Sequence, residues 1–258
     1  MWKSLQHPNV LPLIGVTMTE TRFAMISDWM VNGNINDFVR ARPDVDRIRL
    51  VGFRPKYHCP RFVDSRKTLQ LVGVSKGLIY IHDQGMIHGD LKGVCLRYLR
   101  SCSCHTDLNI HQGEHSDRPS WKSPPGRLRS AYHHLRPHEL FSSSSYTQGG
   151  TARWMGPERI DPQQFGLENS HPTKSSDCYA LGMVIYETVS GKLPFHQHAD
   201  LTVITKVLAG ERPSRGPGFT EGLWKMLRTC WKPQPSDRPS IEDVLLCLKS
   251  MPFKLYKK

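Results

Sequence analysis

The chain has 258 residues, 38% of them hydrophobic and 22% charged, with a formal net charge of +12. That composition excludes a collagenous or wholly disordered polymer, and the length allows one substantial core. The longest apolar run, YALGMVIYETV from Tyr179, carries Glu187 and is too short for a bilayer span, and Met1 precedes no basic-then-apolar leader, so a cytoplasmic protein, nuclear residence left open, with no membrane partner is expected.

In chain order, HPNVLPLIGVTMTETRFAMISDWM predicts two strands, over 11–17 and 23–27, joined by a polar turn into a hairpin. NGNINDFVRA then opens with turn residues and sets Ile35, Phe38 and Val39 at helical spacing, which gives a short helix from about Asn34. A longer helix is expected over 69–82, with Leu71, Val74, Leu78 and Ile81 on one face and DQGM as its stop. SSDCYALGMVIYETVSG reads as a buried central helix, with Ser175 or Ser176 as its N-cap and Gly191 as its end. Further helices are predicted at about 199–209, 220–230 and 240–249, the last capped by Ser240 with Glu242 and Asp243 in its first turn.

Residues 48–68 and 94–141 follow neither period and are expected to be unstructured inserts. They contribute +5 and +3 to the net charge, so most of the basicity that would suggest a nucleic-acid partner lies in them. No aromatic-interleaved platform accompanies that charge, and no nucleic-acid partner is expected. Seven cysteines are an odd number without a secretory signal, so reduced thiols are the expectation. Cys95, Cys102, Cys104 and His105 lack the paired C-x2-C knuckles of a zinc site, and no metal site is assigned to them.

The segment HGDLKG at His88 resembles the catalytic loop of eukaryotic protein kinases, whose pattern is H-R-D-L-x-x-x-N. HPNVLPLIG resembles the approach to the fourth small-lobe strand of that family, and MISDWMVNGNINDFV its fifth strand, hinge and following helix. GTARWMGPE is similar to the substrate-docking loop, SDCYALGMVIYETVSGKLPF to the central large-lobe helix, and CWKPQPSDRPS to the C-terminal signature, all in family order. The resemblance implies an α+β kinase-like fold with a mainly helical large lobe. Residues 1–30 would be a remnant of the small β lobe and hinge, and 31–258 the large lobe with its two inserts.

The resemblance also implies roles, and its flavour is that of tyrosine-kinase-like serine/threonine kinases. Asp90 would accept the proton of a substrate hydroxyl, and Lys92, the serine/threonine mark, would neutralise the transferring phosphate and contact Thr151 of the docking loop. Asp28, Trp29 and Met30 stand at the hinge that meets the ATP base, Glu158 and Arg238 at a buried structural ion pair, and Asp177 at the cap of the catalytic-loop backbone. ATP and Mg²⁺ are the implied cofactors, and a protein substrate or protein partner the implied binder. Gly89 stands where the pattern has arginine, so control through that arginine is not expected.

The departures bear on activity. The resemblance begins at the end of the family's regulatory helix, so the glycine-rich loop, the strand lysine and its glutamate partner fall outside it. No Asp-Phe-Gly occurs, and Cys95 occupies the catalytic-loop asparagine position. A general base alone contributes roughly 10²- to 10⁴-fold, against the roughly 10⁶-fold or more typical of enzymes. Impaired phosphotransfer is therefore expected, leaving a non-catalytic binding module or a misread kinase gene product as the alternatives. The last has a specific form: with permitted codons, residues 126–140 shifted by one base read ADFGLLTIISDPTN, which contains the missing triplet.

Overall fold

The computed structural model describes residues 2–18, 23–28, 70–93, 130–135 and 151–250. The helix expected from Asn34, the stretch 48–68 and the thiols Cys59, Cys95, Cys102 and Cys104 lie outside them. Among the described residues Cys178, Cys230 and Cys247 are free thiols, and no helix is long and apolar enough to cross a membrane.

Strands β1 (Leu13–Met18) and β2 (Phe23–Asp28) form the expected antiparallel pair, in register from Met18 opposite Phe23 to Leu13 opposite Ser27, with an irregularity between Leu13 and Gly15. A third strand, β3 (Ser130–Leu135), pairs antiparallel with the far edge of β2, Phe23 opposite Leu135 and Asp28 opposite Ser130. This corrects part of the reading of 94–141 as unstructured. SAYHHL has no apolar alternation, so the pattern gave no strand signal. Strand addition needs only backbone N–H and C=O groups facing a free edge, and β2 offers one on the side away from β1.

Helix α1 (Gln70–Asp83) buries Leu71, Val72, Ser75, Leu78 and His82. Its buried face is rotated from the expected one, since Val74 and Ile81 are only half-buried while Ser75 and His82 go inside. Each polar residue enters with a partner: Ser75 Oγ donates to Leu71 O at 3.0 Å, and His82 meets Asp177. Gly73 and Gly77 let the incoming chain approach closely, because a Cβ at Gly77 would lie 2.8 Å from Asn9 O. Beside them His7 stacks on Tyr80 at 4.9 Å, and Tyr80 Oη accepts from Gln6 N at 2.9 Å. The HPN segment is thereby fastened to α1.

The short helix α2 (Pro157–Ile160) leads to α3 (Lys174–Ser190), the axis of the fold. Every residue of α3 from Ser176 to Val189 is buried, as an all-round apolar helix requires. Its N-cap is Thr173 rather than either serine: Thr173 Oγ1 accepts from Ser176 N at 3.1 Å, and Ser176 Oγ accepts from Thr173 N at 2.9 Å. The expected serine is thus the other half of a reciprocal cap. Gly191 ends the helix at φ 68°, the left-handed conformation glycine adopts without strain.

Helices α4 (Asp200–Leu208), α5 (Glu221–Cys230) and α6 (Ile241–Ser250) follow close to their predicted bounds. Ser240 caps α6 as expected, its Oγ accepting from Asp243 N at 3.1 Å. Helix α5 and the 3-10 turn Thr151–Trp154 pack on α3, and α6 packs on α1. Leu181, Ile185, Leu223, Leu227 and Leu248 fill the space between them.

Candidate active site

The loop after α1 carries His88, Gly89 and Asp90, and α3 determines its shape. Asp177, in the first turn of α3 and 1% exposed, accepts from His88 N at 2.9 Å through Oδ2 and from Gly89 N at 2.9 Å through Oδ1. Its Oδ2 also lies 2.9 Å from His82 Nε2 at the end of α1. One buried carboxylate therefore joins α1, the loop and α3, with each of its contacts charge-assisted.

Gly89 turns the chain at φ 75°. A side chain there would be strained by that angle and would also meet Pro172, 3.0 Å from a Cβ. The residue present at the family's arginine position thus suits the conformation the loop adopts. Arg159 of α2 reaches in from the docking side and donates from Nη1 to Gly89 O at 3.3 Å.

His88 is exposed as a residue, yet the protein packed around its ring desolvates it and lowers its pKa below the usual 6.5, outweighing the upward pull of Asp177 and Asp90. The hydrogen bonding agrees with the lowered value and decides for it over the exposure: Asp90 N donates to His88 Nδ1 at 3.3 Å, which requires an unprotonated nitrogen there.

The structure brings Asp90 and Lys92 together. Lys92 Nζ lies 3.2 Å from Asp90 Oδ2 and donates to Thr151 Oγ1 at 3.4 Å, so carboxylate, ammonium and hydroxyl come together across 59 residues of sequence. The Asp90 side chain is 55% exposed and Lys92 22% exposed, so the pair sits at the protein surface. Between them Leu91 is buried in the main core and pins the loop.

Two buried carboxylates hold the docking loop. Glu158 forms a two-pronged pair with Arg238, Oε1 to Nη1 at 2.7 Å and Oε2 to Nη2 at 2.6 Å. Arg238 spends its remaining donors on the carbonyls of Lys232, Pro233 and Ser175. Gly156, two residues before the glutamate, is required here because a Cβ would overlap the Glu158 carboxylate.

Glu187 is the second, and sequence reasoning did not assign it a role. It is 2% exposed and accepts from Gly93 N at 3.2 Å and from Trp154 Nε1 at 2.9 Å, tying catalytic loop to docking loop through α3. The available signal was a lone glutamate inside the apolar run of a helix expected to be buried, which demands partners. Arg153 was also missed. Its guanidinium binds the carbonyls of Pro194, Phe195 and His198 and the Asp200 carboxylate at 2.8 Å, holding the turn where Phe195 has φ 53°.

The hinge positions are only partly described. Asp28 ends β2, opposite Ser130, and Trp29 and Met30 lie outside the described residues. Among the described residues no three His, Cys, Asp or Glu side chains come together as a metal site. Cys95, which lies outside the described residues, places a thiol at the asparagine position, where Mg²⁺ takes hard oxygen ligands.

Comparison with known proteins decides the family. The family model described as "Protein tyrosine and serine/threonine kinase" matches residues 1–96 and 138–248. The chain belongs to the protein kinase family. Among curated kinases it is 26% identical to mouse serine/threonine-protein kinase LMTK3, with 96% of this chain and 16% of the relative covered. It is 24% identical to tyrosine-protein kinase Abl of Drosophila melanogaster, over 96% of the chain and 13% of the relative. It is 21% identical to serine/threonine-protein kinase VIK of Arabidopsis thaliana, over 96% of the chain and 48% of the relative. The chain thus spans less than half the length of each of these kinases.

Proposed function

We propose that the chain is a serine/threonine-type protein kinase domain whose phosphotransfer is impaired, and that it acts mainly by binding protein partners. The observation that carries the serine/threonine reading is the Lys92 bridge between Asp90 and Thr151, because a cation at that place serves a short aliphatic hydroxyl brought to the base. Impairment rests on Cys95 and on the absence of Asp-Phe-Gly from the sequence. Phosphoryl transfer depends chiefly on charge neutralisation by positioned metal, and a base with a single lysine does not replace it.

The test is radiolabelled phosphotransfer to a generic basic protein, with Mg²⁺ or Mn²⁺, beside a thermal shift with Mg-ATP. No transfer and no shift are expected. Transfer that Asp90→Ala abolishes would overturn the reading.

A second reading, a misread kinase transcript, is favoured by one coincidence. The family match stops at 96 and resumes at 138, bracketing most of the stretch whose shifted frame spells ADFG. Long-read cDNA from the locus should contain a form that runs one base out of phase through that stretch and returns to the present frame before Ser142. Codons at 126–140 whose shifted frame does not encode Asp-Phe-Gly would sink it.

A further inference from the structure

A cleft of about 850 Å³ opens beside α5, and its walls include the cations Arg212, Lys225, Arg228 and Lys232, the rings of Trp224 and Trp231, and one carboxylate, Glu221. None of its walls belongs to the catalytic or docking loop. Lys225, Arg228 and Lys232 follow at spacings of three and four, so they share one side of α5 and its exit, and all three are exposed. A helix face that meets only water usually mixes charges at these spacings. Here the one carboxylate on that side is Glu221, four residues before Lys225 and itself a wall of the cleft; from Gly222 to Ser236 the sequence holds no acidic residue, so cations predominate.

The nearby carboxylates are already engaged. Glu221 is paired with Arg215 at 2.5 Å and Glu211 with Lys206 at 2.8 Å, while Lys225, Arg228 and Lys232 have no carboxylate partner among the described residues. A fourth cation is immobile. Arg212 donates from Nε to Trp231 O at 2.8 Å and from Nη1 to Val207 O and Glu211 O, and its guanidinium lies 5.4 Å from the centre of the Tyr179 ring. Its Nη2 has no hydrogen-bond partner among the described residues.

The cleft is also aromatic and stiff. Trp224 is half-buried and meets Phe219 at 5.4 Å and Trp231 at 5.8 Å, both edge to face. Fixed aromatic surface beside three exposed cations without carboxylate partners suits an apolar side chain flanked by carboxylates. A planar bilayer would meet the rim of such a concavity and not its tryptophan, and a nucleic-acid strand would want a row of exposed rings.

We propose that this cleft docks an acidic, extended segment of a partner protein, its carboxylates on Lys225, Arg228 and Lys232 and an apolar side chain against Trp224. The site goes beyond the kinase reading and works whether or not the chain transfers phosphate. Fluorescence anisotropy with a labelled Glu/Asp-rich peptide carrying one central Phe tests it on the full chain. Saturable binding is expected, weakened about tenfold or more by Lys225→Glu with Arg228→Glu and less than twofold by Lys76→Glu on α1.

Removing the Phe from the peptide should also weaken binding, which separates the cleft from diffuse charge attraction without altering the protein. No saturable binding, equal loss with Lys76→Glu, or indifference to the Phe would overturn the proposal. So would binding to phosphatidylserine vesicles, sensitive to the same reversals, with none to the peptide.

Discussion

Arg238 and Glu158 illustrate why a buried ion pair is conditional. Both side chains are almost wholly enclosed, at 0% and 3% exposed, so each charge depends on the other for its solvation. Arg238→Met should destabilise the fold by about 3–5 kcal/mol, because it strands a buried carboxylate. Adding Glu158→Leu should recover much of that loss. Urea denaturation of the two variants decides it, and a double variant no more stable than Arg238→Met would contradict the account. Tyr179 shows the opposite case. Its hydroxyl has no hydrogen-bond partner among the described residues, and burial pushes its pKa to about 12 despite Arg212 and Arg238 nearby. The unfolded chain loses that proton near pH 10, so the contribution is whole below pH 10 and is lost as pH rises toward 12. Tyr179→Phe should leave stability at pH 7 unchanged or slightly higher and flatten its decline between pH 10 and 12. A decline as steep as the parent's would refute the assignment.

Among elements, α3 carries the most consequence per residue. Thr173→Ala removes half of its reciprocal cap and should cost about 1 kcal/mol, read from the shift in denaturation midpoint. At Gly182 two effects oppose one another. Alanine in a helix interior gains up to about 1 kcal/mol over glycine, but a Cβ here would lie 2.7 Å from Trp231 Nε1 and 2.9 Å from Cys230 Cβ. Trp231 is 1% exposed and cannot yield without moving the core, so overpacking of about 1–3 kcal/mol should win. A Gly182→Ala protein that melts higher than the parent would show that α5 can shift outward. Helix existence and approximate bounds were legible at this scale because 3.6-residue periodicity and stop residues are local. The rotated face of α1 was not, since burying His82 and Ser75 makes sense only once Asp177 and the Leu71 carbonyl stand opposite them.

Across the whole molecule, Asp177 and Glu187 are two buried stitches from α3 to the loops that would do chemistry. Asp177→Ala should unfasten His88 and Gly89 from the central helix, costing about 3 kcal/mol or more for several charge-assisted bonds lost together. Hydrogen exchange should rise more at 88–93 than at 241–250, and a uniform rise would mean that Asp177 supports the fold generally and not the loop in particular. The motifs themselves determined the kinase family and most helices, because short-range residue order encodes turn chemistry and periodicity directly. Only the tertiary structure decided that Thr173 and not a serine starts α3, that Glu187 and Arg153 anchor the docking loop, and that SAYHHL extends a sheet. Each of those depends on a partner far away in sequence: a buried charge or an open strand edge acquires its role from what the fold brings within hydrogen-bond distance, and no local pattern records that distance.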